Sequence, residues 1–298
     1  MRGDLVRILY DATKDRVKYI FGKTVESYEE DEDKVTVHLS DDTTDTFDVL
    51  VGADGQGSRV RRSMLPGVDP YRRLGVHGAL WIVPRREEDT SFCKMYLVPG
   101  GRMVMYRSHS ATESHCYVAM RDDGDLSELY RAPIEEQKTF WARKFADAEW
   151  QTPRLLEVLK TTDTFYATES VQVSIDTLYK GRVVLVGDAG YCPSSLTGRG
   201  TTGAFVGSYI LAGEILRHSD DLPTAFSNYN NIMRPFVEDI QKFNPNFIKY
   251  AVPQTQWGIK AIHTLTWFIC WLRIPQLMAR FSSPDVSPWK MPEYPELK

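Results

Sequence analysis

The spacing of apolar positions divides the chain into elements before any chemistry is considered. Residues 1–10 place Leu5, Ile8 and Leu9 on one side of the end of a helix. From Val17 to Tyr28 and from Lys34 to Ser40, apolar and polar residues alternate with period two. That alternation predicts two half-buried antiparallel strands joined by the acidic stretch 29–33. Residues 47–51 are almost continuously apolar and end in Gly52-Ala53-Asp54-Gly55. Such a run predicts a strand buried on both faces, with a ligand crevice at its carboxyl end. Short strands are predicted at 76–83, 92–98, 103–108 and 116–120, with no helical pattern between them, so they form an inserted antiparallel sheet. Helical spacing follows at 134–160, a return strand at 165–175, and a second buried strand at 182–186. Helices are expected at about 201–217, 222–241 and 255–280, and an irregular Pro-rich tail at 284–298.

Composition narrows the class. The chain has 298 residues, 42% hydrophobic and 26% charged, with a formal net charge of −4. It can bury a sizeable core, and it lacks the basic footprint of a nucleic-acid partner. The short basic runs at 59–62 and 85–86 read as solvated faces. Cys93, Cys116, Cys192 and Cys270 form no C-x-x-C pair, so neither a disulfide framework nor a metal site is expected, and a reduced, cytoplasmic setting fits. The segment Trp257–Leu272 is apolar but carries Lys260 and His263 and is short for a span of about 20 residues. A buried or interface helix is the better reading, with association at a membrane surface the lesser one. The histidines are scattered, and His109 and His115 read as ordinary sheet or surface residues.

Chemistry concentrates in two segments, residues 49–61 and 183–203. In each, a buried strand delivers a carboxylate at its carboxyl end, Asp54 or Asp188. In the second, a loop of small residues leads into a helix N-terminus near Thr201, where free N–H groups and a partial positive charge face outward. Gly198 and Gly200 remove side chains where a ligand would approach the backbone. The carboxylate suits sugar or ribitol hydroxyls, and the helix end suits a phosphate or an anionic ring carbonyl. Either segment alone also fits a tight turn with close helix packing.

Together they resemble the group A FAD-dependent monooxygenases, the fold of para-hydroxybenzoate hydroxylase, in the branch that contains the tetracycline-inactivating enzymes. Asp54-Gly55 with Ser58 and Arg59 is similar to that family's DG motif, and Gly187-Asp188 with Pro193, Gly198 and Gly200 to its GD motif. Arg2, Leu5 and Leu9 resemble its R-x-x-L-x-x-x-L helix, and Tyr229 with Arg234-Pro235 its following helix. The resemblance implies a mixed α/β (α+β) fold. It divides into a partial FAD-binding domain (1–65 and 160–240), a substrate sheet (66–159) and a C-terminal helical segment and tail (241–298). It implies FAD held by Arg2, Asp54, Gly55, Asp188, Gly198, Gly200 and Thr201, with NADPH or NADH as reductant. Dioxygen would then hydroxylate or epoxidise an aromatic, polyketide or terpenoid small molecule in secondary metabolism. Trp81, Met95, Tyr96, Met103 and Tyr106 are candidates to line the substrate pocket, or else plain sheet packing.

The chain also departs from that pattern. The family's opening βαβ unit with G-x-G-x-x-G, which holds the ADP half of FAD, is not found in these residues. Loss of that neighbour is expected to expose backbone and apolar surface on the strands ending at Gly52 and Gly187. Ser195 stands in place of a Pro, Gly190 in place of an Ala, and Arg199 sits between two glycines, where it would tune or obstruct a flavin. A flavin-free homologue, acting as a cyclase or isomerase or as an accessory binding protein, is therefore the alternative expectation.

Overall fold

The computed structural model describes residues 2–276 and 289–297. Helix α1 (Arg2–Thr13) opens it, with Ile8 65% exposed. The strand predicted from Val17 begins only at Val25. Tyr19 and Phe21 do alternate, but no strand pairs with them. They pack instead on Tyr10 of α1, with the Tyr10 and Tyr19 rings 4.9 Å apart and Tyr19 stacked on Phe21 at 5.8 Å. β1 (Val25–Glu30), β2 (Val35–Leu39) and β3 (Thr44–Phe47) then form an antiparallel sheet in that order.

The apolar run at 47–51 is split, because Asp48 interrupts it. Its carboxylate pairs with Lys34 at 2.5 Å and its carbonyl accepts from Arg182. Only Leu50–Gly52 forms β4, which runs parallel to β11 (Val183–Leu185), while β10 (Tyr179–Lys180) pairs antiparallel on the far side of β11. β11 is fully buried, as its apolar run predicts and contrary to the exposure expected for it, because β10 and β4 flank it on both sides. β4 is not, since β11 is its one neighbour among the described residues and Val51 is 42% exposed. Helix α2 (Arg59–Met64) follows β4, capped by Ser58, which accepts from the Arg61 N–H.

The inserted sheet contains β5 (Tyr71–Pro84), β6 (Lys94–Val98), β7 (Arg102–Ser108), β8 (Glu113–Arg121) and β9 (Tyr166–Val173), in the order β6-β7-β8-β5-β9, all antiparallel. Helices α3 (Ser127–Arg131), α4 (Ile134–Lys144) and α5 (Thr152–Leu159) lie between β8 and β9. The single helical stretch expected at 134–160 is two helices. The chain leaves helical geometry between them, where Trp150 takes φ +62°. One face of the sheet buries Trp81, Val104, Tyr106, Cys116 and Val118 against Trp141, Phe145 and Leu155 of these helices.

The chain then returns through β10 and β11 to α6 (Asp188–Tyr191), α7 (Gly200–Arg217) and α8 (Leu222–Ile240), the last two packed together. Gly207 lets α7 lie close against α6, because a Cβ there would sit 1.7 Å from the Tyr191 hydroxyl. α9 (Pro245–Ala251) and α10 (Gln256–Trp271) follow. Of the two expectations for α10, a buried or an interface helix, burial within the chain is not met. Ile259 is buried, but Trp257, Trp267 and Trp271 are at least 62% exposed. No described helix is long and apolar enough to cross a membrane. The parts of the predicted helix and tail at 277–288 lie outside the described residues.

Candidate flavin and substrate site

Two loops leave neighbouring parallel strands at the same end of the small sheet. β4 ends at Gly52 and β11 at Leu185, which pair directly, and the Val186 N–H donates to the Gly52 carbonyl at 3.0 Å. This is the carboxyl-end crevice expected of parallel strands. On the β11 side, Asp188 is half-buried at the start of α6. The polypeptide then turns through Pro193–Thr197 and delivers Gly200 back to it, so that a Cβ on Gly200 would lie 3.6 Å from an Asp188 carboxylate oxygen. Gly198 holds φ +67° with open space on its Cβ side. No side chain caps the 18-residue helix α7, so the N–H groups of Gly200 and Thr201 have no acceptor among the described residues. A carboxylate acceptor, a glycine gap and open helix donors thus meet at one place. The neighbouring Cys192 thiol is pushed up to about 11 by burial and by the Asp188 carboxylate, so it stays protonated and inert.

Arg199, between the two glycines, does not pair with Asp188 of this crevice. Its guanidinium turns to α8 and pairs with Asp239 at 3.1 Å. Ser194 is buried and adopts φ +75°, ψ 149°, a region that side chains avoid. It is held there by the surrounding loop contacts. Gln172 donates to the Pro193 carbonyl, and Gln241 at the end of α8 donates to the carbonyls of Val173 and Cys192.

On the β4 side, Asp54 turns inward rather than toward a ligand. One carboxylate oxygen accepts from the Ser58 hydroxyl at 2.5 Å, and the other accepts from the N–H groups of Arg59 and Val60. What this loop leaves open is backbone around Gly55, which takes φ +80° with no neighbour on its Cβ side. Arg59 points away and pairs with Glu26 of β1.

Arg61 ties the two loops together, a role that its place in the sequence does not signal. Its guanidinium donates to the Ala189 carbonyl at 2.7 Å, to the Gln56 carbonyl at 2.6 Å and to the Tyr71 hydroxyl at 3.0 Å. It is 2% exposed, and no carboxylate among the described residues pairs with it. Burial lowers its pKa, while Tyr71 and, more weakly, Asp54 act in the opposite sense.

The five-stranded sheet presents its second face to these loops. Pairing places Met95, Met105, Tyr117, Leu80 and Tyr166 in one continuous row across all five strands. The adjacent row on the same face contains Leu97, Met103, Ala119, Gly78 and Thr168. Thr168 accepts from Gln56 of the β4 loop at 3.0 Å, and Ser170 lies 3.3 Å from Ser195 of the β11 loop. Of the proposed pocket residues, Met95 and Met103 lie on this face. Trp81, Tyr96 and Tyr106 do not, because strand alternation sends them to the helix-covered core. His109 and His115 stack at 4.8 Å in the β7–β8 hairpin.

The structure therefore brings Asp188, Gly198, Gly200 and Thr201 together, with Asp54 and Gly55 on the neighbouring loop. Arg2 lies at the start of α1, and its side chain lies outside the described residues.

Residues 3–239 match the FAD binding domain family. The chain is 34% identical to the FAD-dependent monooxygenase asL6 of Sarocladium schorii over 316 aligned positions, covering all of this chain and 74% of the relative. Among solved structures, tetracycline destructase Tet(55) superposes with a TM-score of 0.78 at 28% identity, covering 98% of this chain and 74% of that one. Tetracycline destructase Tet(51) gives 0.74 at 33% identity, covering 80% and 64%. The chain belongs to the family of FAD-dependent monooxygenases, in the group A fold. It spans about two-thirds of the length of Tet(51) and three-quarters of asL6.

Proposed function

We propose that this chain carries the flavin-ring and substrate sites of a monooxygenase that uses FAD, NADPH or NADH, and dioxygen. Its reaction is hydroxylation or epoxidation of an aromatic, polyketide or terpenoid metabolite in cytoplasmic secondary metabolism. The observation that carries the reading is the apolar row Met95–Met105–Tyr117–Leu80–Tyr166, tied through Gln56–Thr168 to the loop beside Asp188. We assign residues 1–65 and 160–240 to the flavin, 66–159 to the substrate, and 241–298 to the C-terminal segment.

The residues present fit a flavin. Asp188 offers an acceptor to a ribitol hydroxyl, the α7 terminus at Gly200 and Thr201 offers donors to an electron-rich ring carbonyl, and Gly198 leaves room for the ring system. The Gly55 loop presents backbone on the other side. FAD, when bound, supplies the redox chemistry with dioxygen. The protein's share is positioning and exclusion of water. Thioether and aromatic side chains in the row adapt to a flat apolar substrate and keep water from the reacting face. The test is turnover of aromatic polyketides by the FAD-loaded chain with NADPH or NADH under isotopically labelled dioxygen. Product carrying one labelled oxygen is the expected result, and reductant consumption without a labelled product contradicts the reading.

A further inference from the structure

From Gln241 to Arg273 the sequence contains no Asp or Glu, although the chain as a whole is acidic. The basic residues of this stretch are Lys242, Lys249, Lys260 and Arg273, and His263 adds a charge when protonated. Lys242 pairs with Asp239 at 3.2 Å. Lys249, Lys260 and Arg273 are exposed and make no ion pair among the described residues. Helices α9 and α10 fill most of the stretch.

The two sides of α10 differ sharply. Ile259 is buried, and Ile262 and Ile269, at helical spacing from it, are half-buried. Trp257, Lys260, Thr264, Trp267, Phe268 and Trp271 recur on the opposite side, and all are exposed. Trp257 is 81% exposed, and the Lys260 ammonium lies over its ring at 5.5 Å. Trp267 stacks on Trp271 at 6.2 Å, and Phe268 lies 5.7 Å from Trp271. The indole N–H groups of Trp81 and Trp289 donate to backbone carbonyls, whereas those of Trp257, Trp267 and Trp271 have no acceptor among the described residues.

The helix is also firmly mounted. The Gly100 and Gly101 N–H groups of the β6–β7 turn donate to the Gln254 and Pro253 carbonyls at 2.7 and 3.2 Å, and Arg121 donates to the Val252 carbonyl at 3.2 Å. An acidic group beside that turn, Asp147, is taken by Arg102 at 2.7 Å.

A contiguous aromatic face in water is unfavourable unless something covers it. Tryptophans with free N–H groups, interleaved with lysine, match the headgroup zone of a bilayer, where rings sink among acyl chains and N–H groups meet ester and phosphate oxygens. The absence of carboxylates complements anionic headgroups. A second copy of the chain would instead set the same positive charges against each other. We propose that α10 docks this chain on the surface of an anionic lipid bilayer, lying in its plane without crossing it. The inference goes beyond the flavin reading and does not rest on it.

The whole chain is sedimented with sucrose-loaded vesicles of phosphatidylcholine alone, and of phosphatidylcholine mixed with phosphatidylserine. It is expected to bind the mixed vesicles, less tightly as salt is raised, with a blue shift of tryptophan emission. The exposed double variant W267S/W271S is expected to bind at least ~10-fold more weakly, and Lys260→Glu roughly tenfold more weakly. Far-UV circular dichroism checks that both variants fold, and the lipid and salt dependence of the parent chain tests the proposal without them. The proposal is overturned if the chain binds neither vesicle, binds both equally, or is held as tightly after W267S/W271S. It is also overturned if the chain sediments as a dimer that ignores vesicles and that W267S/W271S dissolves, which assigns the face to a second copy. None of these readouts needs flavin or turnover, so failure of the monooxygenase reading leaves them intact.

Discussion

Arg61 joins the backbone carbonyls of two different loops, one of them 128 residues away from it in sequence, without a carboxylate partner among the described residues. Removing it leaves the Ala189 carbonyl without its donor in a buried place and the Gln56 carbonyl with the Tyr71 hydroxyl alone. Arg61→Ala is therefore expected to lower unfolding stability by roughly 2–4 kcal/mol in urea denaturation. An effect below about 0.5 kcal/mol would show that the two loops do not depend on it. Ser194 gives the opposite sign. Its backbone at φ +75° is strained for a side chain, and its hydroxyl accepts only a long bond from Leu196. Ser194→Gly is expected to raise stability by about 1 kcal/mol, and a loss would show that the hydroxyl matters more than the backbone. Asp188, Gly198 and Gly200 were legible as a group because they are close in sequence and follow a buried strand. Arg61, Thr168 and Gln241 were not, since their contacts span the inserted sheet and no local pattern encodes such distances.

Among elements, patterns survive where one face is buried and fail where tertiary contacts decide. Residues 183–185 read correctly as a buried strand because every side chain is enclosed. Residues 17–24 carried a strand-like alternation but have no partner strand among the described residues, so the alternation alone misled. The pocket candidates show the same limit. Alternation says that Trp81 and Leu80 face opposite ways, but not which face meets the helices. The α6–α7 contact offers a test of packing against backbone freedom. Gly207→Ala would force a methyl into the Tyr191 hydroxyl and is expected to cost about 1–3 kcal/mol in thermal or urea unfolding. Gly198→Ala meets open space but a left-handed backbone, and is expected to cost about 1 kcal/mol. Equal stability of the Gly207 variant and the parent would contradict the close helix packing described.

At the scale of the whole molecule, acid sensitivity is expected to run through a buried carboxylate in the substrate sheet. Burial alone would raise the Asp89 pKa. The Tyr106 hydroxyl, the Arg86 N–H and Arg154 together outweigh that and hold it below the usual 3.8. A depressed folded-state pKa means that this stabilisation is present above the unfolded value and is lost as pH falls through the folded one. Asp89→Asn should lower stability at neutral pH and flatten the further loss between about pH 4 and about pH 2. An unchanged acid limb in the variant would place the sensitivity elsewhere. The mixed α/β class and the inserted antiparallel sheet were visible in the sequence. The strand order β6-β7-β8-β5-β9 and the turn of one sheet face toward both glycine loops were not, because they follow from long-range pairing.

The central claim is that Asp188 and the α7 terminus form a flavin-ring site. It is tested most directly by the absorbance spectrum of the purified chain after incubation with FAD and desalting. Retained flavin bands, with affinity reduced at least ~10-fold by Asp188→Ala, are the predicted result. A colourless chain, or a variant that holds the flavin as tightly as its parent, would contradict the account.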